Sequence, residues 1–290
     1  MTVAPFPETH PETVENALLG GRVRLRQPAK GYRAGMDAAL LAAAVAAEPG
    51  QRVIEAGCGA GAVLMQIAAR RPDAVLTGIE RELAMAALGR ENAALNGANA
   101  RIVEGDVGAG FRALDLPPFD WAISNPPFFD DPGALRAPAE GKRGAWMADD
   151  GLKAWTGFLL KAVREGGRIV VIHRADRLAD LLGLLGDKAG SFAVRPVHPH
   201  ADEPAKRVLV QGIKTGKAPL RLLPPLVLHD RSGASHTAEA EAILRGGAAP
   251  STPRRPKRSC AARRRWSGDR DAAALSRSDV PPPALRHPGL

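Results

Sequence analysis

The sequence predicts an α/β protein built on a doubly wound, mostly parallel sheet of seven strands. From Gln51 onward the chain repeats a unit of strand, loop and helix, and the predicted helices are 10 to 15 residues long. The last two predicted strands are joined by a polar, proline-rich loop, which allows an antiparallel strand at the edge of the sheet. We expect one domain at residues 15–247, a flexible N-terminus at 1–14 and a disordered tail at 248–290.

The elements before the first repeat are short. Val23 and Leu25 alternate with arginines after a Gly-Gly turn, which predicts a half-exposed hairpin strand that ends at Arg26. A loop follows this strand. Asp37 then begins an alanine- and leucine-rich helix that runs to about Ala47, where a Pro-Gly pair ends it.

The later boundaries follow from apolar runs and from the glycines and prolines between them. The predicted strands are 52–56, 74–79, 100–104, 119–124, 168–173, 192–197 and 207–213. The predicted helices are 62–71, 82–96, 153–164 and 177–188. Ligands of doubly wound sheets bind outside the carboxyl ends of the strands, so the candidate site residues are sought there.

The net charge of +9 is concentrated near the C-terminus. Residues 249–290 contain ten Lys or Arg and three Asp, a charge of +7, which leaves +2 for residues 1–248. The high pI is therefore no evidence that the folded part binds RNA. The tail lacks apolar periodicity, so we expect it to be disordered and to add at most a salt-sensitive affinity for phosphates.

Composition also argues against several other classes of protein. The two cysteines, Cys58 and Cys260, make no disulfide framework, and the histidines lack the spacing of a metal site. The N-terminus does not resemble a signal peptide, and the longest apolar run is too short to cross a bilayer. We expect a cytoplasmic protein that binds neither metal nor membrane.

The first site motif is a glycine loop that directly follows a predicted strand and the acid Glu55. Its glycines, Gly57, Gly59 and Gly61, let the backbone approach a ligand closely. A dinucleotide fingerprint places its third glycine three residues after the second, whereas here it comes after two. The motif resembles motif I of class I S-adenosylmethionine-dependent methyltransferases. This resemblance implies a Rossmann-like fold with S-adenosylmethionine as cofactor, its methionyl end held by Glu55 and the loop amides.

Two further acids follow at the ends of successive strands. The resemblance implies that Glu80 accepts hydrogen bonds from the ribose hydroxyls and that Asp106, beside Val107, binds the adenine amine. Each acid also has a structural interpretation, since Glu80 can complement a helix dipole and Asp106 can cap a turn.

The second motif is Asn125-Pro126-Pro127-Phe128, directly after the strand at 119–124. The two prolines cannot donate ladder hydrogen bonds, and their fixed φ holds Asn125 and the Pro126 carbonyl as stiff acceptors. Acceptors beside an aromatic ring suit an exocyclic amine on a planar group, although a proline-rich turn is the plain alternative.

This tetrapeptide resembles the N-P-P-[YF] motif of amino-methyltransferases. The resemblance implies that Asn125 and the Pro126 carbonyl stabilise positive charge on the attacked nitrogen, and that Asn125 also lies at the cofactor. Phe128 would stack on an extruded base, which is worth about 1–3 kcal/mol in single-strand binders. Phe128 stands where many relatives have a tyrosine.

The order of motifs is similar to that of the bacterial tRNA1(Val) adenine-37 N6-methyltransferases, with Gly31-Tyr32-Arg33, Asp37-Ala38 and Leu40-Leu41 ahead of the glycine loop. The resemblance extends over residues 18–244. It implies N6-methylation of an adenine next to the anticodon, with tRNA as the partner.

The resemblance also implies a substrate-binding set beyond the tetrapeptide. Tyr32 and Arg33 would lie over the cofactor or the target base, or else hold the hairpin to the next helix. Lys30, Lys142 and Arg143 are candidate phosphate contacts, or simply solvated surface.

The same tetrapeptide type serves other amines, so three alternatives remain open. They are an rRNA guanine-N2 or adenine-N6 methyltransferase, a protein glutamine N5-methyltransferase, and an RNA-binding protein that kept the fold without activity. The intact tetrapeptide favours an enzyme, because simple binding does not need two acceptors aimed at an amine.

Overall fold

The computed structural model describes residues 12–30, 34–127, 148–231 and 235–247. Every helix in these ranges is too short or too polar to cross a bilayer. The sequence predictions that fall outside the described residues concern Tyr32, Arg33, Phe128, Lys142, Arg143, residues 1–11 and the tail at 248–290.

The described elements follow the predicted alternation from the first parallel strand onward. The strands are β1 Thr13–Leu18, β2 Val23–Pro28, β3 Arg52–Ala56, β4 Val75–Glu80, β5 Ala100–Glu104, β6 Phe119–Ser124, β7 Val163–Arg174, β8 Ala189–His198, β9 Arg207–Lys214, β10 Arg221–Leu222 and β11 Leu226–Val227. The helices are α1 Met36–Ala44, α2 Ala62–Arg70, α3 Leu83–Leu95, α4 Ala148–Ala162, α5 Leu178–Gly186 and α6 Ala238–Leu244.

The main sheet has the strand order β10-β8-β9-β7-β6-β3-β4-β5, and β11 also pairs with β8. All pairs are parallel except those that β9 makes with β7 and β8. The predicted mostly parallel, doubly wound sheet is confirmed. It contains the seven predicted strands and, in addition, the short strands β10 and β11.

The position of the antiparallel strand differs from the prediction, which put it at the edge. β9 lies inside the sheet, between β7 and β8, where both of its backbone edges find hydrogen-bond partners. The edge is formed by β8, which β10 and β11 cover in part.

Two further boundaries were predicted wrongly. The helix predicted at 153–164 ends at Ala162, and β7 begins at Val163 instead of 168, so that Gly166 and Gly167 lie inside this strand, where its pairing with β6 has a register irregularity. A Cβ atom on Gly167 would meet the carbonyl oxygen of Asp120 at 2.9 Å, so this glycine permits a close backbone approach. The N-terminal stretch expected to be flexible overlaps β1, because Thr13 already pairs with β2.

Helices cover both faces of the sheet, and each face has its own apolar cluster. Val53 and Ile123 contribute to the cluster under α1, α2 and α6. Their neighbours Ile54 and Ala122 contribute to the cluster under α4 and α5. This alternation with a period of two is what a strand buried on both faces requires.

The C-terminal helix α6 is part of the core. Ile243 is fully buried, and the Arg70 guanidinium donates a hydrogen bond to its carbonyl oxygen. The chain is therefore needed at least through this helix.

We predict that truncation after Gly247 leaves the melting temperature and the activity unchanged. Truncation after His236, which removes Ala240 and Ile243 from the core, serves as the control. It should destabilise the fold by at least the roughly 2–5 kcal/mol that loss of one buried Ile side chain costs. Thermal unfolding distinguishes the two truncations, and loss of soluble protein on truncation after Gly247 would contradict a dispensable tail.

Candidate active site

The site begins where β3 and β6 end side by side. Ala56 and Ser124 are register partners in this parallel pair, and the Ser124 hydroxyl donates a hydrogen bond of 2.9 Å to the Ala56 carbonyl. Gly57 and Asn125 are the next residues of the two strands. The glycine loop and the Asn-Pro-Pro segment therefore start from neighbouring positions at one edge of the sheet.

A cavity lies at this edge, with an empty volume of about 450 Å³ including its open mouth. Glu55, Cys58 and Ala60 line it together with Asn125. The remaining lining residues come from the hairpin, from the start of α1, from α2 and from α3: Leu25, Gln27, Pro28, Ala34, Ala38, Ala62, Val63 and Met85. The structure thus brings the two sequence motifs to one cavity.

The glycine loop is a tight turn with left-handed backbone at three positions. The φ angles are +68° at Gly57, +55° at Gly59 and +81° at Gly61, all of which favour glycine. The Gly61 amide donates to the Cys58 carbonyl at 2.9 Å, and α2 begins directly afterwards. The loop therefore delivers the N-terminus of α2, with its positive dipole end, to the edge of the sheet.

Gly57 also has a packing role that the sequence did not reveal. A Cβ atom at this position would lie 2.3 Å from the Cη2 atom of Trp155. Trp155 is a buried residue of α4. The indole ring therefore lies directly against the glycine loop.

Glu80 is buried at the end of β4 and binds backbone amides with both carboxylate oxygens. Oε2 accepts a hydrogen bond from the Gly59 amide at 2.8 Å, and Oε1 accepts from the amides of Arg81 and Glu82 at 2.9 and 3.0 Å. The carboxylate thus joins the glycine loop to the start of α3. Oε2 accepts one of these bonds and keeps a second lone pair, and the predicted contact with ribose hydroxyls stays a prediction.

We predict that Glu80→Ala weakens the binding of S-adenosylmethionine at least about tenfold, because the loop loses its support and the ribose its acceptor. Glu82→Ala is the matched control, since its exposed carboxylate lies two residues away in the same turn. Calorimetry measures both affinities. Equal affinity of Glu80→Ala and the native protein would count against the ribose contact.

Asp106 caps a short 3-10 helix at Val107–Ala109, because its Oδ1 accepts a hydrogen bond from the Gly108 amide at 2.8 Å. Val107 is buried in the core on the α4 side of the sheet. Glu80 and Asp106 lie at the tips of β4 and β5, and neither lines the cavity. The turn-capping interpretation of Asp106 is thus observed, and its contact with adenine stays a prediction.

Gln27 is a cavity residue that the sequence analysis placed in a loop. It continues β2 one residue beyond the predicted end and is 4% exposed. Its amide donates to the Asn16 side chain at 2.8 Å and accepts from the Ala34 backbone at 2.9 Å. The sequence signal that could have identified Gln27 is its position two residues after Leu25 in an alternating strand, which places this polar residue on the buried face.

Lys30, a predicted phosphate contact, lies exposed just beyond β2.

A group of arginines at the tip of β7 was also missed. Burial and, after it, three nearby guanidiniums lower the pKa of His173 to about 4. They belong to Arg177, Arg174 and Arg207. Each of them also pairs with a carboxylate, respectively Asp180, Asp176 and Asp37. These guanidiniums are thus balanced in charge by their carboxylate partners.

Within the described residues, no group of three or more His, Cys, Asp or Glu side chains is arranged to hold a metal ion.

Comparison with known proteins identifies relatives of this arrangement. Residues 33–137 match the methyltransferase small domain family. A segment of 89 residues is 38% identical to the release factor glutamine methyltransferase of Deinococcus radiodurans, over 31% of this chain and 30% of that protein. A segment of 169 residues is 31% identical to the tRNA1(Val) (adenine(37)-N6)-methyltransferase of Porphyromonas gingivalis, over 55% of this chain and 66% of that protein. The chain thus spans between about a third and two thirds of these curated relatives.

A solved structure supports the same assignment over a larger part of the chain. A predicted O-methyltransferase of Agrobacterium tumefaciens superimposes with a TM-score of 0.61 and 28% identity, over 75% of this chain and 99% of that one. The chain thus has the class I S-adenosylmethionine-dependent methyltransferase fold, and its residues 33–137 match the methyltransferase small domain family.

Proposed function

We propose that the protein transfers a methyl group from S-adenosylmethionine to the exocyclic N6 of an adenine in tRNA, next to the anticodon. The observation that carries this proposal is the shared cavity of Asn125 and the glycine loop. An amine held by Asn125 lies beside whatever the loop binds, because the two strand tips are register partners.

The residues at the cavity fit the proposed cofactor. Glu55 is a buried carboxylate suited to a cationic amino group, and the N-terminus of α2 is suited to a carboxylate. Leu25, Val63 and Met85 offer apolar surface. When bound there, S-adenosylmethionine supplies an electrophilic methyl group on a sulfonium.

In this proposal the Asn125 side chain and the Pro126 carbonyl accept hydrogen bonds from the amine. They fix its lone pair in line with the methyl group, which converts a bimolecular encounter into an oriented one. The attacked nitrogen becomes tetrahedral and positive, and two fixed acceptors stabilise that charge as it develops. The extra proton then leaves to solvent, so no titrating base is required.

The order of motifs ahead of the glycine loop, which is similar to that of the tRNA1(Val) adenine-37 N6-methyltransferases, favours RNA as the acceptor. Match length separates the candidates little, since a tRNA1(Val) enzyme matches over 169 residues and a release factor glutamine methyltransferase over 162. We propose Lys30, Tyr32, Arg33, Phe128, Lys142 and Arg143 as further substrate contacts, and the cytoplasm, where tRNA is found, as the place of action.

The second candidate is glutamine N5-methylation of a release factor, which the 38% identity to such an enzyme favours. The two are separated by incubating the purified protein and tritium-labelled S-adenosylmethionine with tRNA, rRNA or release factor. Nucleoside mass spectrometry then identifies the product. We expect N6-methyladenosine in tRNA; label confined to the release factor, or N2-methylguanosine in rRNA, would contradict the proposal.

A further inference from the structure

Two asparagines of α3 pair with the backbone of β2 as a neighbouring strand would. Asn92 accepts a hydrogen bond from the Arg26 amide at 2.8 Å and donates to the Arg26 carbonyl at 2.7 Å. Asn96 makes the same pair of bonds with Arg24, at 2.9 and 2.7 Å. The other edge of β2 pairs with β1, so the hairpin is attached to α3 through side-chain amides.

The repeat distances of helix and strand explain this match. A side-chain amide has the donor and the acceptor of a peptide group. Four residues advance about 6 Å along a helix, and two residues advance about 6.6 Å along a strand. Asparagines at positions 92 and 96 therefore meet alternate residues of β2.

The two asparagines differ in their remaining contact. The Nδ2 atom of Asn92, which is fully buried, also donates to the carbonyl of Ala60 in the glycine loop at 2.9 Å. The Nδ2 atom of Asn96 instead donates to the Asn92 carbonyl within its own helix. Only Asn92 of the pair therefore bonds both the hairpin and the glycine loop.

Both structures that Asn92 joins form walls of the candidate cofactor cavity. Leu25 and Gln27, on either side of Arg26, line it from the hairpin, and Ala60 lines it from the glycine loop. One side chain that lies outside the cavity lining thus bonds to both walls.

We propose that Asn92 is a positioning residue, which sets the distance between the hairpin wall and the glycine loop and thereby the affinity for S-adenosylmethionine. This inference rests on the proposed function of the cavity. Aspartate at position 92 keeps the size and the acceptor but has no donor when ionised. The carbonyls of Arg26 and Ala60 would then face a carboxylate, and the two walls would move apart.

The test compares Asn92→Asp with Asn96→Asp, which loses the matching bond to the hairpin but touches no part of the glycine loop. Calorimetry with S-adenosylmethionine gives the affinity, and thermal unfolding gives the stability of each protein. We expect Asn92→Asp to raise Kd and KM for S-adenosylmethionine about tenfold or more, with kcat at saturation within about threefold. Asn96→Asp should leave Kd within about twofold, even though its melting temperature falls.

The affinity for S-adenosylmethionine measured over a pH series provides a test that a purely structural role of Asn92 would not affect. Protonation of the introduced carboxylate restores one donor, and burial raises the pKa of a carboxyl group. The affinity of Asn92→Asp relative to the native protein should therefore improve from pH 8 to pH 6. Should Asn92→Asp not fold, Asn92→Ala and Asn96→Ala provide the same comparison at one pH.

The outcomes distinguish a failure of the positioning role of Asn92 from a failure of the proposed function. Equal Kd values for Asn92→Asp and the native protein, or equal losses in both variants, would overturn the positioning role alone. Failure of the native protein to bind S-adenosylmethionine would instead overturn the proposed function.

Discussion

Replacing Asn125 by alanine is expected to lower turnover about 10²–10³-fold, the usual cost of removing one preorganised group that stabilises transition-state charge. The amine acquires positive charge only as the methyl group transfers, so the loss should appear mainly in kcat. Affinity for S-adenosylmethionine should survive, because Glu55 and the glycine loop remain in the cavity.

A tritium-methyl assay with tRNA measures the effect, and Asn99→Ala serves as the matched control. Asn99 is an exposed asparagine outside the cavity lining. Unchanged turnover in Asn125→Ala would remove this side chain from the mechanism. An equal fall in both variants would point to a general loss of folded protein.

Gly57→Ala is expected to be the most destabilising exchange in the glycine loop. The residue has a φ of +68°, where a side chain costs about 1–2 kcal/mol. The added methyl group would also overlap the Trp155 indole, whose nearest atom lies 2.3 Å from the new Cβ position. Overpacking of a core adds typically about 1–3 kcal/mol, so the free energy of unfolding should fall by about 2–5 kcal/mol.

Gly97→Ala separates the two causes. Gly97 has a φ of +57°, and a Cβ atom there would have no neighbour within 4 Å, so only backbone strain is introduced. Urea unfolding should show the larger loss for Gly57→Ala, and Trp155→Leu should restore part of that loss in a double-mutant cycle. Equal losses of unfolding free energy in Gly57→Ala and Gly97→Ala would mean that the Trp155 indole moves aside at no energetic cost.

Much of the parallel part of the sheet could be read from the sequence. The strands at Arg52–Ala56, Ala100–Glu104 and Phe119–Ser124 have the predicted bounds. Glycines, prolines or acids follow these apolar runs, and a buried strand that ends in such residues leaves little freedom in its boundary. The glycine loop and the Asn-Pro-Pro segment were found for the same reason.

The parts that were missed depend on contacts between distant residues. The place of β9 between β7 and β8 depends on which strand edges remain free after the rest of the sheet has formed. Asn92 looks like any polar residue of an amphipathic helix, and its partner Arg26 lies 66 positions away. Glu80 was found, but its bond to the Gly59 amide was not, since local sequence does not show which loop a carboxylate faces.

The fixed pairing of Ala56 with Ser124 limits how such an enzyme can diverge. In the proposed function, the sites for the methyl donor and the methyl acceptor lie at the tips of two adjacent strands with a fixed register. Their spacing therefore does not change when surface segments are exchanged. New substrate specificity must then arise in the segments that follow these strands. That constraint offers a reason why proteins that act on a nucleobase and on an amino acid can share one central scaffold and differ mainly in what surrounds it.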